Sequence, residues 1–298
     1  MRRALAAAAA FALGVWGAVA GAACPPAGLS RDDLQAMKAQ GWSAPADDTA
    51  RSALALGLLD CLAEPDPRLR DGVGFEALQA WMRGKRLAPP TLQAMRVRLL
   101  AVLAAAPDAD GVAQPFAALA LAEVARADRL APFLADDERA GLVDAGTRWL
   151  AAVRDYRGFD ATRGWRHGVA HGADLMLQLA LNPKLQRTHG EAIRSAIASQ
   201  VMPEGEHAFR FGEPERLMAP VFYLARRDWW SAAEWQAWFE ALAARRARPA
   251  EPSAVSLAQR HNLGGFVAAL YVSVQESPDT ALRERLLPGL RRILATLE

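Results

Sequence analysis

The sequence predicts an all-α fold, built of antiparallel helix pairs in a curved α-α superhelix (a HEAT-like array) of about a dozen helices with no sheet. Three observations carry this expectation. Apolar residues recur at helical spacing along nearly the whole chain after its first two dozen residues. No stretch shows sustained period-2 alternation, and no Asn-Gly or Asp-Gly turn joins two such stretches. Proline, glycine and capping residues punctuate the apolar pattern at helix-length intervals.

The first segment, "MRRALAAAAAFALGVWGAVAGAAC", is a leader rather than a fold element. Arg2 and Arg3 precede an apolar run, and Ala18-Val19-Ala20 and Ala20-Gly21-Ala22 fit small-x-small cleavage sites. The run is too short and too rich in alanine and glycine for a membrane span. Residues 1–22 are therefore expected to be a signal peptide, and 23–298 a single helical domain without a transmembrane segment. With Ala and Arg dominating the composition, this suggests a periplasmic or secreted bacterial protein. Without Arg2 and Arg3 the basic and acidic residues are equal in number at 33, and no basic tract follows, which speaks against nucleic-acid binding.

Cys24 and Cys61 are the only cysteines. In an oxidising compartment they suggest a disulfide from the mature N-terminus to the second helix, worth about 3–4 kcal/mol in the chain-entropy model. The rival reading makes Cys24 a lipidated first residue, since Ala22 and Ala23 suit a lipobox although Gly21 does not.

The helices follow in order. Ser30 opens the first, to about residue 40. The second covers roughly 47–63 and is stopped by "EPDP". Others are expected near 68–84, 90–105, 115–127 and 137–155. A glycine-rich helix over about 163–181 ends at Asn182-Pro183. Helices near 189–201, 214–227, 232–247, 254–275 and 279–297 complete the array. Ser231 with Glu234, Thr188 with Glu191 and Ser256 with Gln259 have capping-box spacing, and Trp230 with Trp235 would staple the first of these. In "WWSAAEWQAWF", Trp235, Trp238, Phe239 and Leu242 follow core spacing, so the tryptophans are assigned to the interior. Gly72-Val73-Gly74 lacks the preceding strand that a dinucleotide loop requires.

The segment "GWRHGVAHGADLMLQL", 164–179, carries the chemistry. On a helical wheel His167, His171, Asp174 and Gln178 fall within about 60° on an otherwise apolar helix. Buried polar groups need partners. Two imidazoles four residues apart can reach one cation, and a carboxylate three further on can complete the set or orient a histidine. His167, His171 and Asp174 are thus candidate ligands for a divalent metal. The alternative is a polar stripe satisfied by loop backbone, water and Arg216. Gly164, Gly168 and Gly172 form a second line, expected to admit a neighbouring backbone.

"RGFDATRGWRHGVAHGADLMLQLA" resembles the signature of the bacterial domain-of-unknown-function family 2785. Arg157-Gly158, Gly164-Trp165, His167, Ala170-His171 and Asp174 carry the likeness. "FRFGEPERLMAPVFYL" is similar to a second family segment, through Glu213, Glu215 and Arg216. The resemblance implies an all-helical, repeat-like fold and no settled activity.

Two functions stand. The leading one is a binding or interaction scaffold with a polar groove lined by Trp165, His167, His171, Asp174, Glu215 and Arg216, taking a protein or small-molecule ligand. The alternative is a hydrolase-type enzyme using His167, His171 and Asp174 as metal ligands or as acid and base.

Overall fold

The structure is a computed structural model that describes residues 24–247 and 249–297. The expected signal peptide, 1–22, lies outside the described residues. The helices are α1 (Arg31–Ala39), α2 (Asp48–Leu58), α3 (Pro67–Leu69), α4 (Glu76–Arg83), α5 (Pro89–Ala104), α6 (Ala113–Leu130), α7 (Asp136–Ala152), α8 (Gly168–Ala180), α9 (Arg187–Val201), α10 (Glu213–Ala225), α11 (Ala232–Ala244), α12 (Ala254–Gln275) and α13 (Thr280–Ala295). A short 3-10 turn, Asp60–Ala63, follows α2.

The helices stack in two layers. In one, α4 packs on α6, α6 on α8, α8 on α10 and α10 on α12. In the other, α5 lies on α7, α7 on α9, and α11 on α13. Pairs such as α5–α6, α7–α8 and α12–α13 join the layers. This is the helix-pair architecture the apolar periodicity implies. Buried apolar side chains from Leu34 to Ile293 form one connected cluster.

Local chemistry explains most helix starts. Ser30 caps α1 in a capping box with Asp33. Ser231 and Glu234 do the same for α11, and the Trp230 and Trp235 rings meet edge-on at 5.3 Å as its staple. Two expected boxes are not formed. α9 is capped at Gln186, and Glu191 pairs with Arg187 instead of Thr188. Ser256 is the third helical residue of α12 behind the cap Ser253, and Gln259 accepts from the Ala247 amide. Trp235, Phe239 and Leu242 are buried in the core, as their spacing requires.

Two departures from the sequence reading shape the site. The expected helix over 68–84 is interrupted by a wide turn at Arg70–Phe75 between α3 and α4. A small antiparallel sheet also exists, β1 (Phe159–Asp160) on β2 (Gly164–Trp165), where no strand was expected. Its turn is built by Asp160, whose side chain accepts from the Thr162 and Arg163 amides, and by Gly164 at φ +67°. Strands of two residues carry no readable alternation. The sheet also shortens the next helix, so α8 begins at Gly168 rather than near residue 163.

Cys24 and Cys61 are disulfide-bonded, with Cα atoms 5.0 Å apart. A bonded Cys24 leaves no free thiol for a lipid. Among the described residues, no helix is long and apolar enough to cross a membrane.

Candidate functional site

The starts of α6, α8 and α10 converge at one end of their layer, beside the β1–β2 hairpin. Arg70, wholly buried in the wide turn before α4, secures that hairpin. It donates to the carbonyls of Arg163 (2.6 Å) and Trp165 (3.1 Å), and to that of Glu64 (2.9 Å), while its guanidinium lies 4.7 Å over the Phe116 ring. Buried Arg166 donates to the Asp110 carbonyl at 2.7 Å and pairs with Asp160 across the hairpin turn. These anchors fix the backbone that presents Trp165 and His167.

His167 is not within the helix but is its cap, with left-handed backbone at φ 55°. Its carbonyl still accepts from the His171 amide at 2.9 Å, so the two imidazoles stay one turn apart with ring centres at 5.8 Å. His167 is buried between Trp165, stacked on it at 4.7 Å, and the carboxylate of Glu213. Its Nε2 stands 3.3 Å from Glu213 Oε1, off line for a hydrogen bond. Glu213 is buried as the first residue of α10, and its other oxygen accepts from the Phe211 amide at 2.8 Å. Burial would raise the Glu213 carboxyl, but His167 and the Phe211 amide together hold it below the usual carboxylate range.

His171 is also buried, edge-on to Phe116, with Nδ1 3.2 Å from the Pro115 carbonyl. A carbonyl only accepts, so Nδ1 carries the proton and Nε2 the lone pair. Burial, then the neighbouring charges of His167 and Arg216, hold its pKa well below the ordinary histidine value. The imidazole is therefore neutral at physiological pH.

Arg216 clasps Asp174 with both ends of its fork, Nε to Oδ1 at 2.6 Å and a terminal nitrogen to Oδ2. This links α8 to α10. Burial raises the Asp174 carboxyl, with Arg216 acting against it.

The expected residues are thus partly assembled. Trp165, His167, His171, Asp174 and Arg216 lie together, but Glu215 is exposed and makes no hydrogen bond or ion pair with their side chains. The carboxylate that faces His167 is Glu213. Helical spacing carries the signal for it: Glu213 is three residues before Arg216 and shares its face, whereas Glu215 points elsewhere. Among the described residues, no group of three or more His, Cys, Asp or Glu side chains is arranged to hold a metal ion. His167, His171 and Asp174 do not converge, because each faces a different partner: Glu213, the Pro115 carbonyl and Arg216. Of the glycine line, Gly172 and Gly164 serve close packing, since a Cβ there would stand 2.7 Å from Leu150 Cδ1 and 2.8 Å from Pro67 Cβ, side-chain atoms rather than the expected neighbouring backbone.

Composition gave no hint of the aromatic surface above this network. Phe159, Trp165 and Phe211 are all exposed, with relative exposures of 48%, 37% and 40%. Trp165 lies 5.1 Å from Phe159 and 5.8 Å from Phe211, centre to centre. Buried Gly158 seats Phe211, because a methyl group there would overlap its ring. A cavity of about 620 Å³ lies beyond Pro115 and Gly168 and is lined by neither histidine.

No curated protein and no solved structure matches the chain. Residues 100–272, more than half of its length, match the sequence model of a family described as "Protein of unknown function (DUF2785)", and the chain belongs to that family.

Proposed function

We propose that the protein is an exported bacterial binding scaffold, a single helical domain over 23–298 freed from a leader at 1–22. Its binding face is the exposed cluster of Phe159, Trp165 and Phe211, and its ligand is a protein. One observation carries this reading. The polar side chains of the network face one another or backbone, buried His167 with Glu213, half-buried Asp174 with exposed Arg216, and buried His171 with the Pro115 carbonyl. The aromatic surface is what remains to meet a partner. Adjacent exposed aromatics, with half-buried Arg163 and exposed Arg210 near them in the chain, have the composition of interface hot spots. The leader-like N-terminus and the Cys24–Cys61 bond support export, since structural disulfides persist in oxidising compartments.

The test is photocrosslinking from position 165 in cells exporting the full chain, with positions 97 and 257 as exposed apolar controls. The expected result is one discrete adduct from position 165 alone. Trp165→Ala should weaken binding of the purified partner about 30-fold, as a ~2 kcal/mol hot spot does, without altering the melting temperature. Equal adducts from all three positions, or unchanged affinity, would overturn the proposal.

A second reading, a hydrolase-type enzyme, draws support from His171, a neutral buried imidazole whose Nδ1 is fixed by a carbonyl and whose Nε2 is left as a base. It requires a hydrolytic activity lost in His171→Gln and kept in Trp165→Ala.

A further inference from the structure

The cavity beside the histidine network lies between the end of α5, the start of α6, α7 and the 153–157 segment. At about 620 Å³ it has the size of a small-molecule site, for which roughly 300–1,000 Å³ is usual. Its floor is apolar, with Leu100, Leu103, Trp149 and Val153. Its rim holds three arginines, Arg148, Arg154 and Arg157, against two aspartates, Asp108 and Asp155.

Both acids are already engaged. Asp108 accepts from the Val112 and Ala113 amides, and Asp155 is paired with Arg157. Among the described residues, two arginines at the exposed mouth, Arg148 and Arg154, have no carboxylate partner. Arg154 donates to the Ala151 and Val153 carbonyls and also engages the Tyr156 hydroxyl. Arg148 has no hydrogen-bonded or ionic partner among the described residues. The site therefore offers an apolar chamber whose opening holds one unpartnered guanidinium, Arg148, and a second, Arg154, that is not neutralised by a carboxylate, and a guanidinium fork matches a carboxylate.

We propose that this cavity binds a small amphiphile with one carboxylate, its apolar body on Leu103, Trp149 and Val153 and its headgroup on Arg148 and Arg154. The site is separate from the aromatic face, and its test does not depend on it.

Isothermal titration of the full mature chain with dodecanoate, below its micelle concentration, tests this directly. Dodecanol, which shares the chain and lacks the charge, is the comparison. One dodecanoate should bind per chain, at least about tenfold more tightly than dodecanol, the value of one charge-assisted contact. Arg148→Glu should erase that preference while leaving dodecanol binding unchanged. Ala145→Phe, which fills the chamber, should abolish both. Where Ala145→Phe fails to fold by urea unfolding, Ala152→Phe at the exposed end of α7 serves instead. Equal affinity for dodecanol, several dodecanoates per chain, no saturable binding, or binding that survives the filled chamber would each overturn the proposal.

Discussion

His171 should make the protein lose stability in mild acid, and the size of the loss follows from its surroundings. The side chain is buried, lies near His167, Arg216 and Arg70, and is held well below the ordinary histidine value of 6.5. In the unfolded chain it protonates near 6.5; in the folded protein it stays neutral further into acid. Between those two limits the unfolded state binds one more proton, so stability rises with pH and falls as pH falls. One proton corresponds to about 1.4 kcal/mol per pH unit. Taking the protein from pH 6.5 to pH 5.5 should therefore cost on the order of 1 kcal/mol through this residue alone. His171→Gln removes the titration and keeps an N–H donor for the Pro115 carbonyl. Urea unfolding of both proteins between pH 7.5 and 5.5 gives the difference, in which contributions such as that of His207 cancel. The wild type should lose its margin over the variant as pH falls. Parallel stability curves would show that His171 charges as readily folded as unfolded, and the buried neutral imidazole would be refuted.

Three further outcomes follow from the same contacts. Replacing Cys24 and Cys61 with serine should cost about 4 kcal/mol in urea unfolding, the chain-entropy value for a separation of 37 residues; a loss below ~1 kcal/mol would remove the bond as a stabilising element. Arg70→Met strands the Glu64, Arg163 and Trp165 carbonyls and should cost about 3 kcal/mol or more, measured in the same way. Gly158→Ala should push Phe211 from its seat, leaving stability within about 1 kcal/mol but removing the photocrosslink from position 165; an unchanged adduct would show that Phe211 does not shape the face.

The helical fold was legible because periodicity and caps agree over long segments. Ser30 and Ser231 cap where their side chains suggest, and α12 spans the expected 254–275. The site was legible in its residues and not in its wiring. The spacing of His167, His171 and Asp174 is that of one helix face, but a hairpin with a three-residue turn between Asp160 and Gly164 takes His167 out of the helix. Such a turn leaves no periodic trace. Arg216 is one of the partners the sequence offers for the polar stripe, and it pairs with Asp174. Glu213 could have been placed from its three-residue offset to Arg216. The exposed aromatic cluster could not, because Phe159, Trp165 and Phe211 come together only through the hairpin and the start of α10.

The central claim is that the histidines brace a binding face from within and do not grip a metal. Nitrogen NMR of the untagged protein with labelled histidine, with and without equimolar zinc, tests it most directly. The account predicts a neutral His171 with its proton on Nδ1, unshifted by zinc. Joint zinc-dependent shifts of His167 and His171, lost in His167→Ala and His171→Ala, would contradict it and place a metal between them.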